Sequence, residues 1–542
     1  MIRKILFCFL FVLCRLSLPA APTGNIDVSE DGTKVTVTGS VSQALTVADY
    51  SGAADDKPLC EIKDDKSVSY YAFKDISAAC SVSNLAELMK SADLDLTETA
   101  ADAAWKKVKT VVVNGVSKLS CADLCVLNYM GNVDRTACGN TAKSENERKN
   151  TGGTLTTLEL DDDVLFVVED TKIVLITRST QGEDKVSYLF YYSNMLYAYG
   201  AEPRNLAETD LRGGAIWGTT IENLRLPKSL TCILSCGICA NQIKSLDLRD
   251  YDNLTVLGMT ALGNNSELTT VVLPKKLKTI YGGLLSNCSN LEEAYILTAE
   301  PITDESGYDL FGSPKAQLFV RLSHYKHYLT TEKGLKSCES QLYPMIEKGK
   351  MWRTFSFDKA LDFSSVKGFY DNGNSLSAYI VPSCDMADKV ATCIAAGEYT
   401  AETGVLIYGG GEAGELYPIK RPANPTSPAN CLVAAVQGKL DIQQKDGSNI
   451  NFLLSDGVFH ICDEAGGRVA EYRAYLSLPL GSVLSAKEIH FTFGDITPVD
   501  AVCAGMKPES DAVYTMQGVR VDGRKAIGKG VYVKNGKKYI LK

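Results

Sequence analysis

Three segments of the chain carry residues whose types and spacing could support metal or phosphate chemistry. A C-x-x-x-C-x-x-C motif over residues 232–239 has the spacing that ligates a 4Fe–4S cluster in radical enzymes. His324 and His327 stand about one helical turn apart, and Gly409–Gly414 is glycine-rich, as phosphate-binding loops are. The cysteines lie in a repeat and have no nearby His as a further ligand, the histidines have no acid at ligand spacing, and the glycines precede no Lys-Ser/Thr pair. We therefore predict no catalytic residues, no metal site and no cofactor.

A cluster of tyrosines is the candidate ligand-binding surface. An aromatic face with a hydroxyl group suits stacking on carbohydrate, or a hot spot for a protein partner. Alternate members of such a run can instead be buried, because successive side chains of a strand point to opposite faces. The cluster consists of Tyr188, Tyr191, Tyr192, Tyr197 and Tyr199.

Length and charge limit the elements that could position these groups. The 542 residues suggest three or four domains, and 45% hydrophobic residues are enough for sizeable cores. The formal net charge is −9, so no basic excess attracts phosphates, and nucleic acid is not an expected partner.

The N-terminus has the features of an export signal over residues 1–21. Arg3 and Lys4 precede the apolar run Ile5–Leu13, and small residues follow near position 20. The run is too short to span a bilayer, which needs about 20 apolar residues. We expect an exported protein that associates with a membrane only through export or anchoring.

Cysteine usage does not indicate a dense disulfide framework. Without Cys8 and Cys14 of the export signal, 15 of the 17 cysteines remain, an odd number that leaves at least one without an intramolecular partner. Cys121 and Cys125 could form one pair in an oxidising compartment. A lipoprotein signal acylated at Cys8 or Cys14 is an alternative, but the large residues preceding these cysteines disfavour it.

A repeat of about 23 residues runs through the middle of the chain. The segment LPKSLTCI at 226–233 recurs as LPKKLKTI at 273–280, and an L-x-x-L-x-L phrase marks each period. One such coil cannot bury its leucines alone, so neighbouring coils are expected to stack and share a core. Asn265 and Cys288 precede two phrase centres by six residues and are expected to pair with backbone groups at the bend. The four phrase centres are Leu224, Leu246, Val271 and Ala294.

Two weaker copies of the phrase lie upstream, centred at Val111 and Leu158, and Lys118–Met130 between them has a helical pattern. Downstream, Leu273–Ile296 resembles the L-P-x-x-L-x-x-I-x-x-x-A-F-x-x-C-x-x-L unit of BspA-like leucine-rich repeats, with Leu284-Leu285 in place of the usual Ala-Phe. The resemblance implies a surface protein of a Gram-negative anaerobe. We predict an α/β-type leucine-rich-repeat solenoid with irregular repeats.

From residue 351 onward the sequence pattern is typical of an all-β domain. Short apolar runs alternate with Gly, Asn, Asp and Pro, which predicts a sandwich-like domain or a barrel over 351–496. Asn535-Gly536 is typical of a type I′ turn and predicts a small C-terminal hairpin module. This tail resembles the endings of secreted proteins from the same bacteria, where related tails are sorting signals. A retained module is the alternative.

The predicted function follows from a large repeat surface without a catalytic motif. We expect a protein that is secreted or on the outer-membrane surface of a Gram-negative bacterium and binds an extracellular protein or glycan, from the host or from bacteria, through the solenoid. A self-associating surface-layer component is the first alternative, and a hydrolase with a site around His460 or His490 is the second. The predicted order is signal peptide 1–21, β-rich segment 22–80, solenoid 81–345, all-β domain 351–496, linker 497–510 and C-terminal β module 511–542.

Overall fold

The computed structural model divides into two compact units, the first formed by residues up to Leu318 with His324–Leu342, and the second by Phe319–Ser323 with Tyr343 onward. The predicted export signal and the five tyrosines between 188 and 199 lie outside the described residues. The described residues are 24–39, 60–65, 68–73, 76–115, 117–132, 151–168, 174–175, 207–211, 214–305, 310–311, 313, 315–347, 352–370, 373–409, 414–436, 438, 440–480, 486–493, 513–515, 520–521, 530–534 and 537–541.

Parallel strands centred on the sequence phrases form the frame of the first unit. We call these six the phrase strands. Val111 lies opposite Leu158, and Leu158 opposite Leu224, while Leu246, Val271 and Ala294 form a second aligned row. The six predicted phrase centres therefore align in two rows of three, and within each row they take equivalent positions, as stacked repeats require. The phrase strands are Thr110–Asn114, Thr157–Leu160, Asn223–Arg225, Ser245–Asp247, Thr270–Val272 and Glu293–Ile296.

An N-terminal hairpin extends the sheet that contains Thr110–Asn114, Thr157–Leu160 and Asn223–Arg225. Asn25–Val28 pairs antiparallel with Lys34–Thr38, which in turn pairs parallel with Thr110–Asn114. The hairpin turn contains Gly32 at φ 71°, a left-handed conformation that glycine adopts without strain. The hairpin thus begins the row of parallel strands that the repeats continue.

The return segments of the repeats are short strands and turns, which corrects the predicted α/β type. No helix occurs among residues 214–305, all of which the structure describes. Pro227 and Pro274 open the return segments, and Cys236 and Ala240 have positive φ, so no run is long enough to sustain a helix. The return strands are Asp210–Leu211, Cys232–Ile233, Val256–Leu257, Thr279–Ile280 and Thr303–Asp304 in one parallel sheet, Ile216–Trp217 with Ile238–Cys239 in another, and Lys118–Leu119 with Leu165–Phe166 upstream.

Helices lie before and after the repeats. The predicted helix over Lys118–Met130 is confirmed from Cys121 onward, since Lys118–Leu119 is a strand. Among the described residues, no helix has the length and apolar character needed to cross a membrane. The α-helices are Ile76–Cys80, Asn84–Ser91, Cys121–Met130 and Leu322–Thr330, and the 3₁₀ helices are Ala104–Lys107 and Lys336–Gln341.

A large, mainly antiparallel sheet dominates the second unit. Its Val390–Ala395 strand pairs parallel with Glu488–Phe493, whereas its other pairs are antiparallel. The strand Trp352–Phe355 lies beside Arg473–Pro479, since the backbone amide of Ala474 donates to Thr354 Oγ1 at 3.1 Å. The sheet therefore curves back on itself around a core that includes Val381, Leu406, Phe452 and Leu476. The strand order is Trp352–Phe355, Val405–Gly409, Ser375–Asp385, Val390–Ala395, Glu488–Phe493, Val458–Ile461, Asn449–Ser455, Arg473–Pro479 and Leu432–Ala435.

The remaining described strands form a four-stranded sheet near the C-terminus, form smaller sheets, or pair with strands already named. Near the C-terminus four strands pair antiparallel, and Lys534 lies opposite Lys537 across residues 535–536. The tail strands are Val513–Thr515, Arg520–Val521, Gly530–Lys534 and Lys537–Leu541. The remaining strands are Cys60–Asp65, Val68–Phe73, Val174–Leu175, Gln317–Arg321, Leu342–Glu347, Leu361–Asp362, Val366–Lys367, Glu398–Tyr399, Leu416–Pro418, Leu440–Ile442, Lys445–Asp446 and Gly467–Val469.

Candidate functional site

The phrase strands have one buried face. The opposite face is polar on Thr157–Leu160, Asn223–Arg225 and Ser245–Asp247, whereas Val112, Val272 and Tyr295 are buried on that side of the other strands. Because strand side chains alternate, the apolar phrase centres pack inward and their neighbours point the other way. Leu158 and Val271 are fully buried, for example. We call the set of opposite-pointing polar residues the outer face. It comprises Thr157, Glu159, Asn223, Arg225, Ser245, Asp247, Thr270 and Glu293, of which Asn223, Arg225, Ser245 and Asp247 are exposed and the others half-buried.

Hydrogen bonds and ion pairs of the outer face run between neighbouring strands. Asn223 Nδ2 donates to Thr157 Oγ1 at 3.3 Å. Arg225 Nη2 lies 3.1 Å from Asp161 Oδ1 and 3.4 Å from Asp162 Oδ1. Such exposed pairs contribute little to stability, so an incoming ligand can replace them at small cost.

The next repeat has one ion pair within its own segment and one to the preceding repeat. Arg249 Nε lies 2.8 Å from Asp247 Oδ2, and Lys244 Nζ lies 2.9 Å from Glu222 Oε2. The hydrogen bond from Lys244 to the Glu222 carboxylate raises the pKa of the Lys244 ammonium group. Charges of both signs therefore lie on and beside the outer face, which suits a polar partner better than a strongly acidic or basic one.

A buried polar network at the bends fixes the strands that carry the outer face. Asn241 Oδ1 accepts from Thr219 Oγ1 at 2.6 Å, and Asn241 Nδ2 donates to Ile216 O at 2.9 Å. The Asn241 amide in turn donates to Asn265 Oδ1 at 2.8 Å. Each bend residue thus bonds to the neighbouring repeat, which makes the spacing of the outer face rigid.

The predicted bend pairing is confirmed at both residues. Asn265 Nδ2 donates to Ile238 O at 2.9 Å and Leu262 O at 2.8 Å. Cys288 Sγ donates to Leu262 O at 3.3 Å, and burial raises the pKa of its thiol to about 12. Sequence reasoning missed Thr219 and Asn241, although both stand five residues before a phrase centre and could have been found by that spacing.

The cysteine motif at 232–239 is divided among different elements. Cys232 and Cys239 are buried in two different sheets, and Cys236 lies at a bend with φ 56°. Cys236 Sγ lies 3.0 Å from Thr260 Oγ1, and Asn264 Nδ2 donates to Cys239 Sγ at 3.3 Å. These contacts make the three cysteines parts of the repeat structure.

The histidines singled out in the sequence have aromatic or acidic neighbours. His324 and His327 both meet the ring of Tyr328 edge-on, at centroid distances of 6.3 and 6.1 Å. His460 Nδ1 lies 3.4 Å from Glu488 Oε1 in an exposed cross-strand pair, and His490 is exposed two residues further along. Within the described residues, no group of three or more His, Cys, Asp or Glu could hold a metal ion.

The second unit contains an aromatic cluster that sequence reasoning did not single out. Trp352 stacks on Phe493 at 5.5 Å and lies 5.0 Å from the ring of Tyr408. Phe491 meets Trp352 edge-on at 5.1 Å, and Tyr379 lies 4.8 Å from Phe493. All but Tyr379 are half-buried, so the cluster is partly a core and partly a surface. The alternation of Phe491 and Phe493 was a visible signal, but their partners are distant in sequence.

Comparison with known proteins identifies the repeats. The BspA type Leucine rich repeat region matches residues 214–306 in six copies, a range that contains four of the six phrase strands. Leucine-rich repeats of this kind bind proteins in general and are not enzymes as a rule, and BspA-type proteins are typically surface or secreted bacterial proteins. No curated protein and no solved structure matches the chain. The matched repeats and the aligned phrase strands within them make residues 214–306 similar to a BspA type leucine-rich repeat region.

Proposed function

We propose that this protein is exported to the cell surface or secreted, and that it binds an extracellular protein or glycan through the outer face. The observation that supports this most is the exposure of Asn223, Arg225, Ser245 and Asp247 on two successive phrase strands, whose repeats the bend network links. A rigid array of polar side chains loses little conformational freedom on binding, which favours affinity. Tyr191 and Tyr192 are proposed to extend the binding surface.

Ser245 offers the sharpest test of the outer face. Its side chain is exposed at the centre of the row and has no hydrogen bond among those described, so Ser245→Arg adds bulk and charge without removing a native contact. Ala299→Arg is the matched control, because it makes the same change at an exposed turn position outside the phrase strands. Both variants are made in the chain lacking residues 1–21.

The measurement is binding to an array of glycans and extracellular-matrix proteins. We expect the unsubstituted chain and Ala299→Arg to bind the same array members, and Ser245→Arg to lose at least about tenfold in affinity, or about 1.4 kcal/mol. Equal binding by all three proteins would place the ligand elsewhere. Tyr191→Ser and Tyr192→Ser then test the tyrosine surface in the same assay.

Two other functions have distinct signatures. A surface-layer component would self-associate, so the sedimentation coefficient would rise with protein concentration in the absence of any ligand. A hydrolase using His460, with Glu488 as its carboxylate partner, would lose a measured activity in His460→Ala. Export and the role of residues 511–542 are tested by following the full chain and a chain ending at residue 510 in cell fractions.

A further inference from the structure

Two arginines of the second unit lie on adjacent strands that the described hydrogen bonds hold together. Arg353 belongs to Trp352–Phe355 and Arg473 to Arg473–Pro479. Arg473 Nη1 donates to Thr354 O at 3.2 Å, and the next amide, that of Ala474, donates to Thr354 Oγ1 at 3.1 Å. The Arg473 guanidinium is therefore held against the residue that follows Arg353. Both side chains are half-buried.

Neither arginine has a carboxylate partner within the described part of the chain. Arg353 Nη1 bonds only the backbone oxygen of Glu347, at 3.5 Å, while the Glu347 carboxylate pairs with Arg321 Nη1 at 2.7 Å. Burial, together with the positive charge of Arg353, lowers the pKa of Arg473. Burial raises the pKa of the Tyr472 phenol, and the negative charges of Glu471 and Asp358 raise that pKa further.

Two half-buried guanidinium groups on adjacent strands destabilise the folded state when no counter-ion is bound. A half-buried charge loses hydration, and a second charge of the same sign adds repulsion in a medium of reduced dielectric constant. Each guanidinium has five N–H donors, and each has one described bond, to a backbone oxygen. Most of the donors are therefore available to an external acceptor.

The backbone beside the pair is strained. Tyr472 has φ 59°, a left-handed conformation that a bulky aromatic residue rarely adopts. The Tyr472 amide donates to Ala435 O at 2.8 Å, and the Ser356 amide donates to Tyr472 O at 3.1 Å. These two hydrogen bonds maintain the left-handed conformation of Tyr472 and fix the position of Arg473, at which the strand begins. Strain of this kind is concentrated at binding sites, where it sets side-chain position.

We propose that Arg353 and Arg473 form a binding site for an oxyanion, the sulfate or phosphate group of an external ligand. The planar guanidinium fork matches the oxygens of such a group and can bond two of them at once. The anion supplies the negative charge that the described residues around the pair do not. This site lies in the second unit and does not depend on the function proposed for the outer face.

The test compares thermal unfolding in sulfate, phosphate and chloride at equal ionic strength. The proteins are the chain from residue 22, Arg353→Gln, Arg473→Lys and the control Arg468→Gln, whose arginine is exposed and pairs with Asp441. In millimolar sulfate or phosphate we expect a saturable rise in Tm for the unsubstituted chain and the control. Arg353→Gln should lose that rise, and Arg473→Lys should shift it to higher anion concentration.

The Tm in chloride alone is a second readout, in which the effect of Arg353→Gln is expected to have the opposite sign. Because Arg353→Gln removes a like charge, its Tm without oxyanion should equal or exceed that of the unsubstituted chain. Equal sulfate and phosphate responses in all four proteins would overturn the proposal, since the anions would then act through general salt effects.

The source of the oxyanion is distinguished with dextran sulfate and unsulfated dextran. Binding of dextran sulfate alone, lost in Arg353→Gln and kept in Arg468→Gln, would assign the site to sulfated glycans. A Tm response to inorganic phosphate without dextran sulfate binding would assign it to a phosphoryl group. Binding of dextran sulfate that survives Arg353→Gln, with no inorganic anion response, would contradict the site.

Discussion

At the scale of single residues, buried polar groups in the first unit are matched to specific partners. Asp123 is fully buried, yet it accepts from Ser83 Oγ at 2.7 Å, the Leu85 amide at 3.0 Å and the Ser120 amide at 2.7 Å. It therefore caps its own helix and ties that helix to Asn84–Ser91. A buried carboxylate surrounded by donors is stable only while all of them remain bonded.

Asp123→Asn tests this arrangement. The amide group has one acceptor atom and turns an NH₂ toward former donors, so we expect the free energy of unfolding to fall by about 2–3 kcal/mol. Denaturant unfolding followed by circular dichroism measures the loss. Asp102→Asn, at an exposed position, should change stability by less than about 0.5 kcal/mol. Similar values for both variants would show that the buried network is not required.

Buried thiols give a second prediction at this scale. Burial raises the pKa of Cys288 and of Cys393 to about 12, so at pH 8 only about one molecule in 10,000 carries the thiolate at each position. We expect both to resist iodoacetamide in the native chain and to react at once in denaturant, as peptide mass spectrometry would show. Raising the pH of the native chain should increase labelling. Rapid labelling at pH 8 without denaturant would refute their burial.

At the scale of the elements, the repeat depends on its bend residues. Asn241 satisfies Thr219 and Ile216 of the preceding repeat, so Asn241→Leu would leave the Thr219 amide and the Ile216 carbonyl without this partner. We expect a loss of about 2–4 kcal/mol in the free energy of unfolding, measured in urea. The exposed Asn223→Ala is the control and should cost little. A stable Asn241→Leu variant would mean that leucine packing alone holds the repeats together.

The strands show which parts of the fold the sequence could predict and which parts it could not. The phrase centres were found because each must be apolar to pack inward, and a period of about 23 residues makes that requirement visible. The two-residue return strands were missed because a strand such as Val256–Leu257 is too short to show alternation. Pairings between distant segments, such as Trp352–Phe355 with Val405–Gly409, leave no local pattern at all. The candidate site was expected at the tyrosines, whereas the outer face was recognised only when the strands were aligned.

At the scale of the whole molecule, the chain combines a repeat unit with a second unit built on a large curved sheet. The two candidate sites differ in chemistry: the outer face and the residues beside it carry both signs of charge, while Arg353 and Arg473 present positive charge alone. Each site is therefore expected to select its own ligand. Arg353→Gln and Ser245→Arg should affect different members of a ligand array.

The measurement that tests the central claim most directly is a titration of the strongest array ligand against Ser245→Arg and Ala299→Arg. If the outer face binds the ligand, Kd rises at least about tenfold for Ser245→Arg and is unchanged for Ala299→Arg, with equal unfolding midpoints for both. If Ser245→Arg binds with the Kd of the unsubstituted chain, the outer face is not the ligand-binding surface.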